Sequence, residues 1–217
     1  MKITDLQSQK TDSSRINIYI DEEFFCGASV DTIVKFQIYV GKIITQEEID
    51  IILGFELENK FLNRSLTYLS RSPRTEFQIR QYLKNLAYKK KDSWYTEISN
   101  DELENIFENV ISKLKSYKYI DDKIFAEMFV RDRIKIKPRG KQILLMELLS
   151  KGVDKEIATE IIDMLVTDEY EVLKNVYYKK YKDEKLMKED RKKIDFLMRK
   201  GFNWDLIEKY INDESVE

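Results

Sequence analysis

Between Lys123 and Lys141 the chain sets Lys123, Arg131, Arg133, Lys135, Lys137, Arg139 and Lys141 against only Glu127 and Asp132. Ammonium groups and planar guanidinium forks at this density recognise phosphates and carboxylates; they do not by themselves make or break bonds. The bases alternate at every second residue through Lys137, which is not one helical stripe. They must therefore wrap around the end of a helix, some facing opposite ways. The competing reading is a solvated face that keeps a helix soluble. Arg71, Arg74, Arg80 and Lys84 form a thinner basic group upstream, open to the same two readings.

Other chemistry is scarce. The 217 residues include no histidine, a single cysteine (Cys26) and six glycines. Ser-His-Asp and Cys-His arrangements, thiolate metal clusters and an intrachain disulfide are therefore excluded. No GxxxxGK[ST] or GxGxxG loop is present to cradle a phosphate. The carboxylate pairs Asp121-Asp122, Glu22-Glu23 and Glu47-Glu48 fall where turns and helix caps are expected, so they read as caps and surface rather than as acid–base machinery. A protein that is not an enzyme, with no cofactor and no metal site, is expected. No apolar run approaches bilayer length, and MKITDLQSQK lacks an apolar signal core, which points to a cytoplasmic protein away from membranes. The net charge is −2, so it is the distribution of charge that could attract a polyanion.

The elements that would position these charges are mostly helices, given 36% charged residues with only two prolines. Residues 1–14 are polar and expected to be disordered. Residues 15–58 read as a small β-hairpin with a helix: Ile16, Ile18 and Ile20 alternate, Phe24, Cys26 and Ala28 return, and Val30-Asp31-Thr32 opens a helical segment ending at Gly41, with a strand as the alternative because β-branched and aromatic residues dominate it. Thr45-Gln46-Glu47-Glu48 is a capping box, opening a helix with a possible break near Gly54, and Ser99-Asn100-Asp101-Glu102 is another. Helical repeats are expected over 59–119, 120–166 and 167–211, followed by an acidic tail at 212–217. Ser72-Pro73 and Pro138 read as helix starts, Lys89–Ile98 as a loop, and Glu184–Lys200 as a helix stopped by Gly201. Ile124, Phe125, Met128 and Phe129 read as facing inward. Trp94 and Tyr95 read as a partly packed anchor in the loop, or as a stacking platform; Trp204 reads as core.

The repeat is explicit. Superposing Gly152 on Gly201 pairs Leu145 with Ile194, Leu148 with Leu197 and Asp154 with Asn203. Superposing Pro138 on Pro73 pairs Arg139 with Arg74 and Leu148 with Leu83. The fold expected is mainly α: three tandem three-helix repeats stacked into an elongated curved rod, preceded by the N-terminal β-hairpin and helix.

The run Ser116-Tyr117-Lys118-Tyr119-Ile120-Asp121-Asp122, then Phe125-Ala126, Arg133, Pro138-Arg139-Gly140 and Lys151-Gly152-Val153, resembles the RecX family of regulators of the bacterial RecA recombinase. Tyr68-Leu69-Ser70-Arg71-Ser72 with Ile79-Arg80 and Leu83 fits the first repeat of that family. The Ile-Tyr-Ile-Asp strand resembles its form with an N-terminal β-hairpin extension. The resemblance covers roughly residues 15–211. It implies a non-catalytic monomer that binds the RecA–single-stranded DNA filament along its helical groove. It further implies inhibition of the filament's ATPase, strand exchange and co-protease activities, within homologous recombination, DNA repair and the SOS response. Arg131, Arg133, Lys135, Lys137, Arg139 and Lys141 are then the leading contact candidates, with Arg71, Arg74, Arg80 and Lys84 behind them. Asp121, Asp122, Phe125, Ala126, Gly140 and Gly152 read as structural. The alternative function is a sequence-independent DNA-binding helical module, and weak direct contact with single- or double-stranded DNA is compatible with either.

Overall fold

A computed structural model describes residues 1–10, 12–95 and 98–214, the last of these without its side chain. They divide into two compact units, Met1–Ser72 with Arg80–Tyr117, and Pro73–Ile79 with the chain from Lys118 onward.

The first unit opens with three antiparallel strands, β1 (Ile3–Ser8), β2 (Arg15–Ile20) and β3 (Glu23–Ser29), in that order across the sheet. The expected hairpin is β2–β3. Asp21 and Glu22 close it with φ of 49° and 74°, the handedness that suits right-twisted strands. β1 corrects the expectation of a disordered 1–14. Ile3 is fully buried and pairs with Ile20, and Leu6 packs against the same core, so two apolar side chains and the ladder hold an otherwise polar strand. A bulge, where Cys26 faces Ile18 but Phe24 faces Tyr19, sends Phe25 against the core and leaves Phe24 exposed, against the simple alternation expected.

The first helix, α1 (Val30–Lys35), is capped by Ser29 and stops at Gln37, whose φ is 47°, before the expected end at Gly41. The next, α2 (Gln46–Leu69), begins at the Thr45/Glu48 capping box and runs unbroken through Gly54, so the expected division at residue 58 falls inside a helix. Glu56 of α2, only 3% exposed, ties sheet to helices. Its carboxylate accepts from Ser29 N at 2.9 Å, Ser29 Oγ at 3.0 Å, Arg15 Nη2 at 3.3 Å and the Thr32 hydroxyl. Two further helices follow, α3 (Glu76–Trp94) and α4 (Asn100–Ser116), the latter opened by the Ser99/Glu102 capping box. Lys89–Trp94, expected as a loop, continues α3. Helical continuation lets Trp94 meet Phe61 edge-on at 5.5 Å, and Phe61 meets Phe107 of α4 at 5.3 Å. Tyr95 closes the turn by donating to Ala87 O at 2.9 Å. The rest of that expected loop includes 96–97, which lie outside the described residues.

The second unit holds the first turn of α3, then α5 (Asp122–Ile136), α6 (Lys141–Ser150), α7 (Lys155–Leu165), α8 (Glu169–Tyr181), α9 (Arg191–Arg199) and α10 (Trp204–Glu214). Asp121 caps α5, accepting from Lys123 N at 2.9 Å and Ile124 N at 3.0 Å. The α5–α6–α7 repeat packs around Ala126, Val130, Leu144, Leu148, Ile161 and Ile162. The α8–α9–α10 repeat packs around Leu173, Tyr177, Leu197, Phe202 and Ile207. Helix α9 is shorter than expected: Lys182 has φ of 58°, and the connection buries Leu186 before the helix starts at Arg191. Trp204 is 42% exposed, not core.

Neither proline opens a helix directly. Both stand three residues upstream, in Pro73-Arg74-Thr75 and Pro138-Arg139-Gly140, and Thr75 and Gly140 occupy the cap positions of α3 and α6. The two caps dock alike. Thr75 Oγ1 donates to Lys151 O at 2.6 Å, and Gly140 N donates to Lys200 O at 2.8 Å. The following amides dock alike as well: Glu76 N donates to Asp122 Oδ1 at 2.9 Å, and Lys141 N to Glu169 Oε1 at 2.7 Å. Gly152 (φ 83°) and Gly201 (φ 93°) end α6 and α9, and any Cβ there would overlap Phe77 and Ile143 respectively. A Cβ on Gly140 would strike the Gly201 carbonyl.

Gly201→Ala combines a left-handed backbone with that overlap, and should lower stability in urea unfolding by about 2 kcal/mol or more. Glu56→Gln keeps the shape but removes the buried carboxylate from its donors, and should destabilise the first unit by about 2 kcal/mol in the same measurement.

Candidate interaction surface

Helix α5 buries Ala126 and Val130 completely, with Phe125, Phe129 and Ile134 packed beside them. Residues at i, i+4, i+7 and i+11 from Ile124 therefore share the opposite side: Ile124, Met128, Arg131 and Lys135. This corrects the expected inward placement of Ile124 and Met128, which are 54% and 46% exposed; Ile136 is 62% exposed. Arg131 and Lys135 are exposed and have no acidic partner among the described residues. Two bare cations thus continue an exposed apolar stripe.

The other candidate bases separate into paired and unpaired groups. Arg133 Nε binds Glu147 Oε2 at 2.7 Å, and its guanidinium lies 4.8 Å from the Phe129 ring centre. Lys141 pairs with Asp163 at 2.6 Å and Lys123 with Glu160 at 2.8 Å. In the first unit, Arg80 reaches Glu108 at 2.5 and 3.2 Å and Glu104 at 3.9 Å, while Lys84 holds Glu104 at 2.8 Å. Arg80 and Lys84 thus serve an α3–α4 charge network. Arg71 is exposed in the turn after α2, and Arg74 is half-buried next to Thr75. Lys137 is exposed at the end of α5. Arg139 is half-buried, and its Nε lacks a hydrogen-bond acceptor among the described residues.

Three bases that sequence reasoning passed over stand near Arg139. Lys180 Nζ lies 3.9 Å from the Phe196 ring centre and Lys200 Nζ 5.3 Å from the same centre; Lys179 adjoins Lys180 in the last turn of α8. Partial burial holds the Lys200 ammonium below the ordinary lysine range, and repulsion from Arg139, Lys180, Lys137 and Lys179 adds to it. The signal was present in the repeat itself, since aligning Gly152 with Gly201 also aligns Lys151 with Lys200. By contrast, the Cys26 thiol is pushed up to about 12 by burial and by the nearby Glu56 carboxylate, so it is not a thiolate near neutrality.

The chain matches the family model for the RecX N-terminal domain over residues 1–45. Models for the second and third RecX three-helix domains match residues 121–161 and 167–211. The regulatory protein RecX of Clostridioides difficile is 30% identical over 216 residues, spanning 97% of this chain and 94% of the relative. That of Bacillus velezensis is 33% identical over 226 residues, spanning 99% and 80%. A crystal structure of regulatory protein RecX shares the fold with a TM-score of 0.73 at 24% identity, over 98% of each chain. The crystal structure of RecX from Lactobacillus salivarius aligns with a TM-score of 0.57 at 26% identity, over 74% of this chain and 98% of that one.

Because the folded Lys200 value lies below the unfolded one, the unfolded chain binds this proton more tightly. Stability attributable to the group should therefore rise as pH climbs through the folded value toward the ordinary lysine range. NMR titration of isotopically methylated lysines should show Lys200 deprotonating before the bulk of lysines, and Lys180→Gln should move it upward.

Proposed function

The chain belongs to the RecX family, and on that footing we propose that it is a non-catalytic regulator that binds the RecA–single-stranded DNA filament along its helical groove. Bound there, it inhibits the filament's ATPase, strand exchange and co-protease functions, acting as a cytoplasmic monomer in recombination, repair and the SOS response. The observation that carries this reading is the outward face of α5, where Ile124 and Met128 run in line with unpaired Arg131 and Lys135. Exposed apolar side chains rimmed by cations suit a protein surface, whose interfaces combine an apolar centre with a charged rim. Tandem repeats also suit a partner built of identical subunits, because several modest contacts along one groove act together.

The second reading, a sequence-independent DNA-binding module, fits this face less well. Phosphate recognition gains nothing from exposed Ile124, Met128 and Ile136. None of the described helices is long and apolar enough to cross a membrane.

Titrating the protein into the single-stranded-DNA-dependent ATPase of its cognate RecA should abolish turnover at or below one protein per recombinase subunit. Arg131→Glu with Lys135→Glu should shift that titration to severalfold higher protein, at unchanged thermal stability. An ATPase indifferent to the unaltered protein would overturn the proposal.

A further inference from the structure

We propose that the first unit carries a small-molecule site, a cleft lined by β3, α2, the end of α3 and α4. Its ligand is a compact organic monoanion: an apolar or aromatic body bearing one carboxylate or sulfonate. The cleft offers about 1020 Å³, at the upper end of the volumes usual for ligand pockets. Its walls include Phe24 of β3, Leu53 and Leu57 of α2, Trp94 of α3 and Ile106 of α4, with Lys60 of α2 among them.

Gly54 lines the same cleft from the middle of α2. Inside a helix glycine is markedly worse than alanine, so a contact or a backbone angle normally explains it. Gly152 and Gly201 have both reasons, a positive φ and a side chain that a Cβ would overlap. Gly54 has neither. Its backbone is helical, and a Cβ there would meet nothing within 4 Å among the described residues beyond its chain neighbours and its own helix backbone. What the glycine does is deepen the cleft by one side chain. Around it Phe24 and Leu53 are 60% and 40% exposed, apolar surface that a ligand body would cover.

Lys60 sets the charge of that ligand. Its ammonium is half-buried, lies 5.9 Å from the Trp94 ring centre and forms no ion pair among the described residues. Burial holds it below the ordinary lysine range, and repulsion from Arg15 adds to this, against the opposing pull of Glu56. The acids that line the cleft are mostly committed elsewhere. Glu56 accepts from Ser29, Thr32 and Arg15, Glu102 from the Ser99 cap, and Asp50 from the Gln46 amide. With Asp92 they make the cleft unfavourable to a polyanion, yet leave one cation for one anionic group. A charge-assisted contact to Lys60 would fix the head of such a ligand, and the apolar walls with Trp94 would take its body.

The site is tested on the full chain without recombinase or DNA, so its failure leaves the regulatory reading untouched. Trp204→Phe makes Trp94 the sole tryptophan. In that background anilinonaphthalene sulfonate is titrated beside its uncharged analogue phenylnaphthylamine, with dye emission and energy transfer from Trp94 as readouts. The sulfonate should bind about tenfold more tightly, and naphthoate should displace it. Lys60→Met, which keeps the apolar stem, should bring the sulfonate down to the affinity of the uncharged dye. Gly54→Leu should fill the cleft and abolish energy transfer with both dyes, at an unchanged or higher Tm; Gly54→Ala should raise the Tm and weaken binding less. Absence of energy transfer from Trp94, equal affinity for the charged and uncharged dyes, or a folded Gly54→Leu chain that binds as before would each overturn the site.

Discussion

The unpaired carbonyl at the end of a helix that stops in a left-handed glycine is the constraint on which the repeat packing depends. Helix α6 is capped at its C-terminus by Lys151 before Gly152, and α9 by Lys200 before Gly201. In each case that last carbonyl is claimed by the cap of a helix from the preceding repeat, Thr75 or Gly140. The absence of a Cβ on the glycine then admits Phe77 or Ile143. The acid at the first position of the next repeat, Asp122 or Glu169, takes the amide that follows the cap. One set of contacts satisfies backbone groups at both helix ends, which burial would otherwise leave without partners.

The first unit solves its joining problem differently. Its sheet presents Ile3, Ile18, Ile20 and Ala28 to a small core completed by Ile38, Ile44, Ile49 and Ile52, apolar contact that is non-directional. Glu56 supplies the missing specificity. A carboxylate buried on α2 demands donors, and the end of β3, the start of α1 and Arg15 of β2 meet that demand together.

The proposed function rests on which charges the fold leaves uncompensated. The basic run from Lys123 to Lys141 looked uniform in one dimension. In three dimensions Lys123, Arg133 and Lys141 are spent on Glu160, Glu147 and Asp163. The remainder separates into Arg131 and Lys135, on an α5 face mixed with exposed apolar side chains, and Lys137 and Arg139, at the end of that helix and in the connection that follows.

Most of the architecture was legible before the structure. The capping boxes at Thr45 and Ser99, the Asp121 cap, the left-handed Gly152 and Gly201, and the β2–β3 hairpin are local signals, and a local hydrogen bond or a missing Cβ suffices to write them. What only the tertiary structure decided is what depends on partners distant in sequence. Whether Ile3 anchors a strand, whether Ile124 and Met128 face out, where α3 ends and which bases are neutralised are all of this kind. Helical periodicity marks an apolar face but not which of two apolar faces is covered, and composition counts charges but not their neighbours. The sequence therefore determined the repeats and their stops by itself, while the choice of exposed cations waited on packing, because an ion pair is a property of two positions and not of one.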